Sequence, residues 1–304
     1  MRVLTVAAAI LLCATVSGAQ FVEDTWVRAG ASVAYSDDAS AVFVNPAGLG
    51  MYAQSNTWTT ATMVGDDIAR IGGATKAGGL GFGYRRDYLW READDGLRPG
   101  DDAVDTGVVG LGFGESRVWS IGFDYRWMKA NFGDRKSVGT WDVGFMMRPT
   151  QWLSVGAAAR NLSEPDYVFL EDEARETCCS RTTYTAGIAL RPAGDRLTFT
   201  VDGSVPRDEE LDQTVLAAGM EAVILDGVTL RGAVTVYPDE MDRENEESFG
   251  VWFDMTSFGT GVSYRSYEGA AEDLLTVHLT TSKERQRSIF RNGNGIAESR
   301  SVVR

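Results

Sequence analysis

Histidine and cysteine are nearly absent, with one His and three Cys in 304 residues. A zinc centre needs several such ligands together, so no metal site is readable in the sequence. Cys13 falls in an apolar N-terminal stretch, which leaves Cys178 and Cys179, adjacent to each other. Bridging neighbours requires a strained geometry, so a vicinal disulfide, two free thiols and an intermolecular bridge all stay open. Positive charge is scarce too: 29 Lys and Arg stand against 43 Asp and Glu, for a net charge of −14. Nucleic-acid binding favours a basic surface, so nucleic acid is not an expected partner. Beyond residue 16 no apolar run approaches the roughly twenty residues that a membrane-spanning helix needs.

The N-terminus reads as a secretory signal peptide over residues 1–19. Arg2 gives a positive end, residues 3–16 are apolar, and Ser17, Gly18 and Ala19 place small residues before Gln20. An exported chain without helical spans is periplasmic, secreted or a barrel in the bacterial outer membrane.

The rest of the pattern selects the barrel. From Asn56 to Ser282 the chain divides into about fourteen stretches of roughly ten residues, alternating between apolar and polar positions. In residues 117–128, Trp119, Ile121, Phe123, Tyr125 and Trp127 share one parity, and Ser120, Gly122, Asp124 and Arg126 the other. A period of two means a β-strand, because successive side chains point to opposite faces. Every second connection is tight, around residues 76–77, 115–116, 149–151, 192–195, 226 and 257. Most of the others are longer and acidic. Short turns at one rim and long loops at the other predict an all-β, transmembrane, up-and-down antiparallel β-barrel of about 14 strands, with outer-membrane lipid around it. Residues 20–55 form a segment before the barrel, residues 56–282 the barrel, and residues 283–304 a basic periplasmic tail.

Parity assigns the walls. Leu80, Phe82, Leu111, Phe113, Trp141, Phe249, Phe253 and Leu279 fall on the lipid face. Charges fall on the lumen parity: Asp124, Arg126, Asp142, Arg148 and Asp202, then Glu221, Arg231, Asp254, Arg265 and His278. Trp58, Trp90, Trp119, Trp127, Trp141 and Trp152 lie near strand ends, where amphipathic rings suit the membrane interface. Trp252 falls on the inward parity and either fills the lumen or exposes a slip in register.

Acidic runs at Glu92, Asp94, Asp95, Asp101 and Asp102, and again over residues 239–247, read as solvated loops. Divalent-cation binding is the sharper alternative, although neither run has EF-hand spacing. Residues 78–83 are glycine-rich but lie in an alternating strand with no helix after them, which argues against phosphate binding. Their small size permits close packing or leaves space for the N-terminal segment. His278 lies beside Thr276 and Thr280, and a barrel hydrolase would need it next to a nucleophile or acid.

The most specific short string spans residues 36–50, with Asp37, Asp38, Ala39, Ser40 and Ala41 followed by Asn45, Pro46, Ala47 and Gly48. It reads as a short helix capped by Ser36 or Asp37 and ended by Pro46, then a tight turn into the first strand. With the barrel that follows, this string resembles the long-chain fatty-acid transporter (FadL-like) superfamily of outer-membrane proteins, and within it the PorV/PorQ branch associated with type IX secretion. The resemblance implies a fourteen-stranded barrel whose N-terminal segment plugs the periplasmic mouth. It places Asp37, Asp38, Asn45, Pro46, Ala47 and Gly48 in the plug, where they gate the bore. Two features depart from the family: the predicted lumen is polar, and the chain does not end on a strand with a terminal aromatic.

The expected function is passage of a small molecule, a hydrophobic one on the family's example, gated by the plug, with no catalysis and no cofactor. The alternative is a non-conducting binding or scaffold component whose partners are secretion-system proteins; a barrel hydrolase is the third option. The facing assignment predicts that Phe123→Arg blocks membrane assembly and Ser120→Arg does not. Recovery of folded, heat-modifiable protein measures both.

Overall fold

The computed structural model describes residues 29–52, 55–93, 96–131, 137–163, 181–207, 213–238, 245–255, 258–267 and 273–281. Residues 1–19, read above as a signal peptide, Asp94 and Asp95, Cys178 and Cys179, residues 239–244 of the acidic run and residues 283–304 lie outside the described residues. The strands, in chain order, are β1 (Asn56–Val64), β2 (Asp67–Ala77), β3 (Leu80–Ala93), β4 (Gly96–Glu115), β5 (Trp119–Ala130), β6 (Ser137–Met147) and β7 (Leu153–Arg160). They continue as β8 (Thr183–Leu190), β9 (Pro192–Asp195), β10 (Leu197–Pro206), β11 (Val215–Leu225), β12 (Val228–Val236), β13 (Glu246–Asp254), β14 (Gly259–Tyr267) and β15 (Leu274–Thr280). All but the short β9 join one closed sheet of fourteen strands in sequence order. The seam is an antiparallel ladder running from Trp58↔Thr280 to Val64↔Leu274. Closure leaves no open sheet edge, which lets backbone cross a medium without water.

Alternation is clearest in β5, whose residues switch between exposed and buried along the strand. Phe82 (48% exposed), Leu111 (48%), Phe123 (43%) and Phe253 (47%) present large apolar groups outward. Ser120, Asp124, Arg126, Thr140, Asp142 and Ser154 are buried on the other face. Among the described residues the tight connections sit where turns were expected, displaced by a residue or two; the one expected at Ser257 lies outside them. Lys76 and Ala77, for example, belong to β2, and the turn is made by Gly78, at φ 62°, and Gly79. Gly227, at φ 80°, serves the β11–β12 turn in the same way.

Two expectations need correction, and one open choice is settled. Trp58 does not belong to the outer aromatic belt: it faces inward, 6% exposed, and stacks on His278 with centroids 6.2 Å apart. Trp119, Trp127, Trp141 and Trp152 are outward and exposed. Trp252 is inward without any slip of register, because it pairs with Thr229 and Gly261 in regular ladders. Several acids are not in loops: Glu92 lies in β3 and Asp101 and Asp102 in β4, and Glu246 starts β13, buried, and accepts a 2.6 Å hydrogen bond from the Tyr237 hydroxyl.

The segment before β1 lies inside the barrel. It contains two four-residue helical turns, α1 (Ala41–Val44) and α2 (Gly48–Met51). The helix therefore starts later than expected, with Ser40 as N-cap; its hydroxyl donates to the Asp38 carboxylate and no side chain caps the helix N–H groups. Asn45, Pro46 and Ala47 lead into a second helical turn rather than directly into a strand. Val33, Val42, Phe43, Val44 and Leu49 form an apolar cluster with the inward Trp58, Ala74, Val108 and Ala158. Burying each such large side chain contributes about 1.5–3 kcal/mol. The bore is thus oily where the segment sits, although the wall residues alone read as polar.

The expected tolerance of Ser120→Arg does not survive this arrangement. A Cβ built on Gly50 of the segment would stand 2.1 Å from the Ser120 hydroxyl, so a long side chain at 120 collides with the segment. Ala217, inward on β11 and only half-buried, is the appropriate control. Phe123→Arg places a cation against hydrocarbon at a cost of ~2–4 kcal/mol and should abolish heat-modifiable protein, whereas Ala217→Arg should retain it.

Candidate functional site

Turns and two helical turns pair part of the segment's backbone within itself, and the buried peptide groups that are left need partners elsewhere. The wall supplies them as side chains. Asn45 is at the centre: its Nδ2 lies 2.6 Å from the carbonyl of Val33, 3.1 Å from that of Phe145 and 3.4 Å from that of Ala157. Its Oδ1 accepts from the Ala47 amide at 3.1 Å. One buried amide therefore ties the segment to itself and to β6 and β7. Pro46 follows, with no N–H to satisfy.

Cations and hydroxyls from the wall bind the remaining carbonyls. Lys76 Nζ donates to the carbonyls of Asp37 (2.7 Å) and Gly48 (2.9 Å). Arg160 donates to Val44 (2.6 Å) and Ser154 to Ala34 (2.6 Å). Two strands on from β7, Asp202 of β10 accepts from the Ser32 hydroxyl at 2.7 Å and the Val33 amide at 2.9 Å. The Asp37 carboxylate pairs with Arg148, which also donates to the Tyr52 hydroxyl at 2.7 Å. Asp38 accepts from the Ser40 amide at 3.0 Å.

The segment can approach this closely because the wall beneath it lacks side chains. Gly112, Gly122 and Gly144 are direct partners across β4, β5 and β6. Gly156 and Gly187 are partners across β7 and β8. An added Cβ would come within 2.1 Å of Pro46 at Gly122, within 1.9 Å of Asn45 Oδ1 at Gly144, and within 2.1 Å of the Val33 carbonyl at Gly156. These glycines are sites of backbone-to-backbone approach. Sequence parity already placed them inward, but the segment they receive could not be read from the strands alone.

The other charged candidates fall into separate groups. Asp124, Arg126 and Asp142 are each 2% exposed on β5 and β6. Arg126 Nη2 meets Asp142 at 2.7 Å, Asp142 accepts the Asn161 amide at 2.8 Å, and Asp124 sits directly across the ladder from Asp142. Glu221 receives Arg231 at 2.6 Å and the Tyr35 hydroxyl at 3.1 Å, linking the segment to β11 and β12. Arg231 stacks 4.3 Å from the Trp252 ring centroid. Asp254 ends β13 opposite Gly259. Arg265 lies towards the other end of β14, opposite Ser248 and Leu274, and outside the cluster around the segment.

His278 is fully buried between Trp58 and Trp252, with Nε2 2.9 Å from the Ser263 hydroxyl. That spacing suits a nucleophile and its base. Two indoles against the imidazole, however, leave no room for a substrate carbonyl, so the pair reads as packing. Among the described residues no three His, Cys, Asp or Glu side chains converge as a metal site. Sequence reasoning missed Lys76, which it assigned to a turn, and Arg160, Ser154, Tyr35 and Tyr52. Arg160 and Ser154 share the inward parity of Gly156 and Ala158, a signal that was present.

The fold has solved counterparts. A FadL homologue from Pseudomonas aeruginosa superposes with a TM-score of 0.56 at 11% identity, over 89% of this chain and 99% of that one. The Pseudomonas putida toluene transporter TodX gives 0.51 at 12% identity, over 88% and 98% of the two chains. A TodX variant described as a monoaromatic hydrocarbon channel, with S2 and S3 deleted, gives 0.55 at 12% identity, over 87% and 98%. No family model and no curated protein sequence matches the chain. At such identities the likeness is one of fold.

Gly144→Ala sets a methyl group against Asn45, and Asn45→Ala strips three carbonyls of a donor at about 1–3 kcal/mol for each buried group left unsatisfied. Both should accelerate amide hydrogen exchange over residues 29–52 while the strands stay protected. Unchanged exchange would show that the segment is not seated on the glycine row.

Proposed function

We propose that this chain is an outer-membrane channel for a small molecule moving down its gradient, and that residues 29–52 are the plug that gates it. The exposed apolar exterior suits hydrocarbon, and the closed sheet suits a bilayer. The observation that carries the gating reading is the attachment of the segment. It is held inside the bore by reversible polar ties, including the Asn45 contacts and the Asp37–Arg148 pair, and by no strand of its own. A segment held this way can leave without breaking the barrel. A hydrophobic cargo is favoured by the likeness in fold to a toluene transporter and by the apolar cluster of Val42, Phe43 and Leu49, which would be uncovered as the segment shifts. The short-turn rim, where Tyr52 and Arg148 meet, is then the periplasmic side.

The secretion-scaffold reading, with the PorV/PorQ branch behind it, is the outcome to be excluded. Flux through proteoliposomes of wild-type protein, of the double variant Asp37→Asn with Arg148→Gln, and of a variant lacking residues 29–52 separates the two. Channel function predicts measurable flux of a monoaromatic probe that rises by about tenfold or more once these ties are cut, an amount equivalent to ~1.4 kcal/mol. Absence of flux from all three, with the barrels folded and inserted, would leave the scaffold.

A further inference from the structure

The outward wall carries one row of charge. Arg86 on β3, Asp105 on β4 and Lys129 on β5 are successive partners across the ladder, and the neighbouring row is Tyr84, Gly107 and Trp127. Tyr84 and Trp127 are outward and exposed, and the indole of Trp127 covers Gly107. Asp105 is already engaged: the Tyr84 hydroxyl donates to it, and Arg86 Nη1 is 3.7 Å away. The Arg86 guanidinium also lies 5.4 Å from the Tyr88 ring centroid. Lys129 is exposed and has no ion-pair or hydrogen-bond partner among the described residues.

Just past Lys129 the chain is pinned back onto β4. The Asn131 amide donates to the Ala103 carbonyl at 3.0 Å, and Asn131 Oδ1 accepts from the Ala103 amide at 2.7 Å. The result is a cavity of about 240 Å³ lined by Arg86, Asp105, Lys129, Ala130 and Asn131. Its two cations face one carboxylate, so it is net positive. Arg86, Asp105 and Lys129 share the outward parity of Tyr84 and Trp127 and stand one row beyond them, away from the β2–β3 turn. Charge on the lipid-facing side is costly at mid-bilayer and cheap at the interface, so this row marks the head-group level of the outer leaflet.

We propose that this cavity binds the phosphate of an outer-leaflet lipid head group. Arg86 and Lys129 donate charge-assisted hydrogen bonds to the phosphate, and the acyl chains descend over Tyr84 and Trp127. This rests on the membrane orientation given under Proposed function but not on transport. The lipid would act as a fixed annular ligand on the β3–β5 wall, on the outside of the strands whose inner face carries Asp124 and Gly122.

The test uses the full barrel in detergent micelles, titrated with lipid A and followed by native mass spectrometry. Lipid A should bind wild-type protein at least about tenfold tighter than the Arg86→Gln, Lys129→Gln double variant, and Lys129→Gln alone should fall between them. Dephosphorylated lipid A should bind all three equally weakly. Equal affinity of wild type and double variant for lipid A, or no loss on dephosphorylation, overturns the proposal. Full displacement by inorganic phosphate at millimolar concentration overturns the lipid as the source of the phosphate. Heat-modifiable migration confirms that each variant is folded. Failure of the wild-type barrel to enter vesicles, seen before any lipid A is added, would instead be a failure of the membrane reading.

Discussion

A backbone N–H or C=O shut away from water has to find its partner within the protein, and the architecture answers that constraint twice. The wall answers it by closing on itself through the β1–β15 ladder, so that no strand presents an unpaired edge. With the backbone satisfied, side chains are free to follow the surroundings. Apolar groups such as Phe82, Phe123 and Phe253 turn outward, and polar ones turn in.

The second answer concerns the segment inside. Local turns such as Phe43 N–H to the Ser40 carbonyl and Gly48 N–H to the Asn45 carbonyl pair part of its backbone, and inward side chains of the wall take up several of the carbonyls that are left. Lys76, Ser154 and Arg160 donate to its carbonyls, and Asp202 accepts from one of its amides. Polar residues that look like the lining of a wet pore are, in this half of the bore, the solvation shell of a polypeptide. The row of glycines from Gly112 to Gly144 belongs to the same solution, since it brings the segment near enough for short side chains to reach.

The fold was legible because its signal is repeated. β5 alone shows period two through Trp119, Ile121, Phe123, Tyr125 and Trp127, and neighbouring strands repeat it. The outward and inward parities therefore read correctly in most places. Trp58 was misread because Thr57 and Thr59 flank it and neither parity stands out as apolar. The site was less legible. The string around Asn45 marked the segment as unusual, but the partners of Asn45 are main-chain carbonyls of Val33, Phe145 and Ala157, which no residue type announces. Lys76 was lost because a lysine two residues ahead of a glycine pair looks like a turn. Glu246 was lost because it follows a run of loop acids.

The seam between first and last strands has a kinetic corollary. Thr57 and Thr281 meet across 224 residues of chain, and pairing at that separation requires closing a very long loop before any contact repays the entropy. The inner segment, sited just ahead of the first strand, cannot make its ties to β6, β7 and β10 until those strands stand in a circle around it. Maturation should therefore run from hairpins to cylinder to occupied cylinder, and a newly closed barrel passes through a transiently vacant form before its own N-terminus settles inside.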